Sequence, residues 1–485
     1  MKKLITINLL LFPILLFQNT ANAEDYTNKK FTSEELIEDL NYLFDNLESI
    51  HPDLYYFTPQ SKIDSLKAEV IKELEEPMTR LDFARKVMPP VVVLGDGHTS
   101  LSFPSEERNE YLDKNGGIFP FDIMIRENKL LIASNWSEDD SIEVFSEIIS
   151  INGISSETIL NTMRQYVSAE LDHFRDVRIE RAFRFYLWAI FGFEDDYVLK
   201  LKDDGDIKVA EVTGISREEL RVFQQRDEEP KPYSFYILED NTIGVIDFRQ
   251  MIDGGKFGLF LDSVFTVVND KNIQHLIIDI RQNGGGSSLL ANMLFDYITD
   301  NQYKMTTKMD LKLSRKTKQQ FRQHFRNQME WYKRPLLYMM SPFNSELRMI
   351  FFSKPGKIVT YEQTEKTIPK DIELKFAGDT YLLTSNFTFS SANMLTAAFK
   401  EYEMGVIIGE ETGGVLKAFG DLIHFRLPNT NLSAYCSHKT FVHPGYDGEV
   451  RGVIPDIEIK PSIEDIIYER DVMIEYVIDF VSNSQ

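Results

Sequence analysis

From about residue 233 onward, short apolar runs alternate with longer helical patterns, and this alternation restricts the fold more than any other feature. The runs at 243–248, 276–280, 381–385 and 405–409 read as strands, and 258–268, 288–298 and 392–402 read as helices. Runs without polar alternation fit strands covered on both faces. Strand and helix in strict succession imply a mostly parallel sheet. The span 303–370 interrupts the rhythm. It is basic and rich in methionine and aromatics, and it is expected as a helical cap or lid with its helix over 315–332.

The preceding half is organised differently. At 485 residues the chain exceeds one ordinary core, so roughly two to four domains are expected. Residues 1–23 combine Lys2 and Lys3, an apolar run and the small residues Ala21 and Ala23. That is the pattern of a signal peptide cut after Ala23, which places the mature chain in an extracytoplasmic space, periplasmic or secreted. No cysteine follows the cut to carry a lipid, and no later apolar run is long enough to span a bilayer.

Residues 24–104 read as a helical domain. Leu36, Leu40, Leu43 and Leu47 repeat at helical spacing behind Thr32, and His51 with Pro52 ends that helix. Further helices are expected at 61–74 and 80–87. The pattern changes at Pro89 and Pro90 before a glycine-rich turn that carries His98. Residues 105–225 read as a small β-rich module with strands at 119–125 and 129–133, a strand and Asn152-Gly153 turn within 146–154, and a helix over 156–166. The span 205–232 is highly charged and ends in a linker at 225–230, after which 233–485 forms the α/β domain.

Acidic residues outnumber basic ones by 76 to 53, for a formal net charge of −23. Such a surface disfavours nucleic acid and anionic lipid as partners. The single cysteine, Cys436, cannot form an internal disulfide. It reads as a small apolar residue rather than a nucleophile, although His438 is close enough in sequence to serve a thiol.

Chemistry concentrates at two strand ends. Ser390 follows the 379–385 strand and opens a helix, so its hydroxyl sits at the positive end of a helix dipole and the Ser391 N–H points the same way. Serine is also a common N-cap, and alone Ser390 would be read as one. Gly284, Gly285 and Gly286 follow the 276–280 strand and allow a backbone to approach a ligand closely. A phosphate loop is the weaker reading, because no Lys-Ser/Thr follows. In an open parallel sheet both segments would lie beyond the carboxyl ends of the strands, where ligands bind.

Three segments in order carry a family resemblance: Asp279-Ile-Arg-Gln-Asn-Gly-Gly-Gly286, Thr388-Phe-Ser-Ser-Ala-Asn393 and Ile408-Gly-Glu-Glu-Thr-Gly-Gly414. They resemble the C-terminal processing (tail-specific) serine peptidases. The resemblance implies a crotonase-like α/β catalytic domain preceded by an N-terminal helical segment and a PDZ-like β module. It also implies Ser390 as nucleophile, with oxyanion donors from the N–H of Ser391 and of a glycine in 284–286, taken here as Gly285. One branch of the family uses a lysine, but Val415 stands at the matching position and Lys417 lies two residues on. The other branch, similar to the tricorn core protease, uses a histidine. Gly95-Asp-Gly-His98-Thr-Ser100 resembles its segment, and Glu449 stands before a Gly-Val-x-Pro-Asp run where that branch carries its fourth member.

An imidazole can accept the serine proton near neutral pH, whereas a lysine would need a large downward shift. His98 is therefore the expected base, Glu449 its orienting acid through a bridging hydroxyl, and His443 the rival base. Asn393 departs from the family's usual glutamate, which helps shape the serine's helix. The β module would hold a substrate's C-terminal strand by backbone pairing, and a spacer is its plainer reading. These features imply a secreted or periplasmic serine endopeptidase acting on peptides or unfolded proteins, with no metal or organic cofactor. A catalytically inactive peptide-binding or scaffold protein of the same fold, or a secreted serine esterase, is the alternative.

Overall fold

A single sheet gathers the apolar runs of the C-terminal half. The computed structural model describes residues 26–483 apart from 194, 204, 225–229, 239–242, 329–331, 333–338 and 340–344. The expected signal peptide and most of the expected linker lie outside the described residues.

The sheet runs Tyr233–Ile237, Ile243–Phe248, His275–Asp279, Asp379–Thr384, Val406–Gly409 and Ile457–Glu458. Only the first pair is antiparallel. Ile246, Ile278 and Leu382 face one core with Phe257, Phe265 and Leu290 from the Gly254–Asp270 and Leu289–Ile298 helices. Val245, Ile277 and Leu383 face the opposite core under the Val472–Asn483 helix. Burial on both faces is why these strands lack polar alternation. Each such side chain stabilises the sheet by about 1.5–3 kcal/mol. Asp279 pairs with Leu383, so the chain leaves both central strands at the same sheet edge.

The span 303–370 is not the helical cap expected from its composition. It contains the helices Arg315–Gln328 and Ser345–Phe352, but also the strands Lys308–Leu313 and Lys357–Glu362. These join Ser433–Val442 and Lys417–Arg426 in a second, antiparallel sheet. Met309, Leu311 and Leu313 are buried while Lys308, Asp310 and Lys312 are less so, a period-two signal hidden by the basic composition. Ser100 and Leu101 pair with Tyr435 and Ala434 of this sheet. That short pairing ties the N-terminal helices to the C-terminal half.

Those helices are Ser33–Ile50, Gln60–Glu73 and Arg80–Val92. Thr32 and Glu35 form a capping box on the first, and Leu36, Leu40, Leu43 and Leu47 are wholly buried. The third continues through Pro89 and Pro90 instead of stopping before them. Both prolines fall in its last turns, and burial of Val87 and Val91 holds that stretch in place. The β module pairs Phe121–Arg126, Lys129–Asn135, Glu147–Ile151, Asp196–Asp203 and Asp206–Thr213 in that order. Asp206–Thr213 lies where charge alone had been read, Asp196–Asp203 lies where no element was expected, and the helix expected at 156–166 ends at Met163. The Asp172–Tyr186 helix packs against the first strand of the module. Among the described residues no helix is long and apolar enough to cross a membrane.

Candidate active site

The turns after the two central strands are knitted together before they present any chemistry. Ser385 Oγ donates to the Arg281 carbonyl (2.6 Å) and Thr388 Oγ1 to that of Ile280 (3.1 Å). The Phe389 N–H donates to the Asn283 carbonyl (3.2 Å), and Asn283 Nδ2 reaches the Phe248 carbonyl (2.7 Å). Arg281 lies between Asp279 and Asp471, 2.7 Å from an oxygen of each. This frame delivers Ser390 in a conformation with φ 55° and ψ −122°, which non-glycine residues rarely adopt. Such strain costs about 1–3 kcal/mol and persists where the surroundings enforce it.

Ser390 precedes the Ser391–Glu401 helix, yet its side chain makes no capping bond. The hydroxyl is committed elsewhere: Ser390 Oγ stands 3.2 Å from His98 Nε2. Plain N-capping is therefore not its role. His98 is held by its N–H to Asp96 Oδ1 (2.9 Å), and its ring stacks on Phe389 at 4.6 Å between centroids. Phe389 stacks in turn on Phe174 at 4.1 Å. Burial pushes the His98 imidazole below its usual 6.5. The positive charge of Arg178 acts the same way, while Asp96 and Asp421 oppose it. A neutral ring at this distance can accept the serine proton.

The glycine turn abuts the serine. A Cβ on Gly285 would lie 2.8 Å from Ser390 Cβ and 2.9 Å from Ser391 N, and its φ is +103°. Only glycine fits there. The Gly285 N–H, however, donates to Asn283 Oδ1 at 2.9 Å and so is already taken. Gly286 and Ser391 both border the cavity beside Ser390, and Ser391 Oγ donates to the Gly286 carbonyl at 2.8 Å. The cavity holds about 440 Å³ and reaches from Ser390 to Met305, Met309 and Tyr361 of the 303–370 span.

Other expectations fare differently. Glu449 is exposed, its N–H donating to Asp447, and no hydrogen bond links it to His98. Its loop turns outward at Gly448, so it does not join the cluster. His443 lines the cavity, but burial drives it down to about 4 and its Nδ1 faces the Met305 carbonyl. Lys417 Nζ lies over the Tyr56 ring at 3.7 Å. Cys436 is buried with its thiol pushed well up, and His438 bonds the Asp421 carbonyl instead of that thiol. Asn393, where a glutamate was expected, is buried and joins the serine's helix to the following loop with a neutral amide. Its Nδ2 donates to the Val415 carbonyl (3.0 Å) and its Oδ1 accepts from Thr412 Oγ1 (2.6 Å).

Residues that sequence reasoning missed crowd behind His98. Asp96 Oδ2 accepts from Ser437 Oγ (2.6 Å) and meets His51 Nε2 (3.2 Å). Burial would raise the Asp96 carboxyl, but its bond to His51 and the charges of His51 and His98 hold it far below the usual range. Asp421 lies on the cavity wall in a buried ion pair with Lys439. Glu170 packs against Gly97. Asp96 was legible as the acid two residues before His98; Glu170 had no local signal.

Comparison with known proteins bears on the family and the fold. Residues 242–459 match peptidase family S41. No curated protein matches the chain. Among solved structures, mature CPAF is 14% identical over 90% of this chain and 94% of its own, with a TM-score of 0.61. Mature CPAF complexed with lactacystin is 13% identical over 92% and 97%, with a TM-score of 0.62. The tricorn protease is 16% identical over 93% of this chain and 37% of its own, at a TM-score of 0.38. The CPAF likeness is one of fold. Because the family match spans both turns and the helix that carry Ser390, residues 242–459 are those of a C-terminal processing peptidase of family S41, a serine-type hydrolase.

Proposed function

We propose that the protein cleaves peptide bonds through an acyl-enzyme on Ser390, with His98 as general base and then general acid. The observation that carries this reading is the 3.2 Å approach of His98 Nε2 to a serine hydroxyl that caps nothing. His98 takes the Oγ proton as Oγ attacks the carbonyl, then returns it to the leaving amine. The N–H groups of Ser391 and Gly286 hold the oxyanion in this scheme. Gly285 serves instead as the residue small enough to lie against the nucleophile. On this reading the chain is of the histidine-base branch that the tricorn core protease exemplifies.

The cavity supports an apolar residue on the acyl side of the scissile bond. Met305, Met309, Met394, Tyr361, Phe419 and Phe441 line it. Methionines adapt to varied apolar shapes, so breadth among large apolar side chains is the expected preference. The parallel sheet and its helices are read as crotonase-like (233–485), the sheet over 105–225 as a PDZ-like strand-binding module, and 24–104 as a helical domain that delivers His98. Residues 1–23 support export from the cytoplasm.

Hydrolysis of a peptide library with mass-spectrometric readout tests the reading. Wild type is expected to cut after large apolar residues and Ser390→Ala to cut nowhere while still binding. Equal behaviour of the two would point to the non-catalytic binder. Turnover of simple esters without peptides would point to an esterase.

A further inference from the structure

His98 lacks a side-chain acceptor at its far nitrogen, and a carboxyl with no side-chain partner lies beside it. Nδ1 of His98 is buried without a side-chain partner, and the only hydrogen bonding that acts on the ring from the backbone comes from Phe419. Both carboxyl oxygens of Glu170 are likewise buried without a side-chain partner, and only the Gly97 and Glu170 backbone N–H groups act on them. One atom each from Glu170, a His98 ring nitrogen and Asp96 lie within 4.8 Å of one another. Glu170 also explains the glycine before His98, since a Cβ on Gly97 would stand 2.6 Å from Glu170 Oε2. Asp96 is the wrong acid for the task. Its Oδ1 takes the His98 backbone N–H, and its Oδ2 takes His51, Thr99 and Ser437.

We infer that Glu170 is the positioning residue for His98: a buried carboxyl, carried on the segment between the Ser156–Met163 and Asp172–Tyr186 helices, orients the imidazole and meets the charge it gains when Ser390 loses its proton. This rests on the Ser390–His98 reading above. Unpaired buried polar groups are costly, and two of them side by side are rarely left without a use.

The charged groups around the pair come from every element packed on it. Asp96 and His51 lie on the near side and Arg178 comes from the Asp172–Tyr186 helix, while Asp421, paired with Lys439, faces His98 from the second sheet. Arg164 and Arg175 border the cavity behind Glu170. Arg164 is paired with Asp176, and Arg175 with Asp172 and the Ala169 carbonyl. Burial first and the Asp96 charge second raise Glu170 to about 8, against the Gly97 backbone and Arg178. Below that pH the neutral carboxyl can accept the His98 Nδ1–H through its carbonyl oxygen while Nε2 receives the Ser390 proton. Above it, a carboxylate faces the imidazolium, and acylation gains a second rise with pH.

The test is the rate at which a fluorophosphonate labels Ser390, from about pH 5 to about pH 10. Wild type should rise in two steps, the upper one near 8. Glu170→Gln, nearly isosteric, should lose the upper step and label about tenfold more slowly in alkaline solution. Glu449→Gln should keep both steps. A Glu170→Gln profile that superimposes on wild type would overturn the inference, and so would a wild-type profile with a single step, which decides the matter even if the variant misfolds. Wild type labelling no faster than Ser390→Ala would instead remove the Ser390–His98 reading, and this inference with it.

Discussion

His98 Nε2 lies 3.2 Å from Ser390 Oγ across 292 residues of sequence. Each partner is fixed by a different part of the molecule. The Ser100–Leu101 pairing with Ser433–Val442 anchors the histidine, and the two central strands anchor the serine. The contact therefore exists only when the N-terminal helices and the C-terminal half are docked.

Replacing either partner should remove turnover. Ser390→Ala or His98→Ala is expected to lower kcat for a peptide substrate by roughly ten-thousandfold to a millionfold. Lys417→Ala should stay within about threefold, because its ammonium rests on the Tyr56 ring. Steady-state kinetics of the three variants checks this, and a dead lysine variant beside a live histidine variant would reassign the base.

The acid limb of kcat/KM should lie below pH 6.5. His98 works in its neutral form, and burial holds its folded pKa below that ordinary value. The base therefore stays unprotonated, and the enzyme active, into mildly acidic solution before the rate falls. A pH–rate profile whose first rise, below the upper step near 8 ascribed to Glu170, lies above 6.5 would contradict the buried environment of the ring.

Gly285→Ala should inactivate the protein. The added methyl would meet Ser390 Cβ at 2.8 Å and the Phe389 carbonyl oxygen at 2.9 Å, at a φ of +103° that alanine resists. A loss of about 1–3 kcal/mol in unfolding free energy is expected, together with loss of fluorophosphonate labelling. Denaturant titration and labelling measure the two separately.

Asn393→Asp should destabilise the serine's helix at neutral pH by about 1–3 kcal/mol. The amide that donates to the Val415 carbonyl would become an oxygen facing an oxygen. Burial and that carbonyl would raise the new carboxyl's folded pKa above its unfolded value. The folded state then binds the extra proton, so stability returns as pH falls through that folded pKa. Melting temperatures of the variant and wild type, taken from neutral to acidic pH, should converge as the carboxyl is protonated.

The strands and helices were legible because their signals are local. Doubly buried strands need continuous apolar runs, and Thr32 with Glu35 closes a capping box within four residues. The 303–370 strands were obscured because lysines share their outer face, so composition outweighed period. The Gly285 N–H is committed by a bond that no spacing reveals, the side chain of Asn283 turning back on the loop, and the proposed scheme therefore takes Gly286 as the oxyanion donor.

By itself, the amino-acid order determined the βαβ rhythm, the serine at a helix start, the glycine turn and the histidine turn. These follow from backbone preferences that act over a few residues. Only the packed molecule decided which acid stands behind His98. Glu449 lies on an exposed loop, and Glu170 is carried in from the β module with no mark in its own neighbourhood. The physical reason is that a carboxyl's burial and partners depend on which surfaces meet in space, and sequence encodes that only through the whole fold.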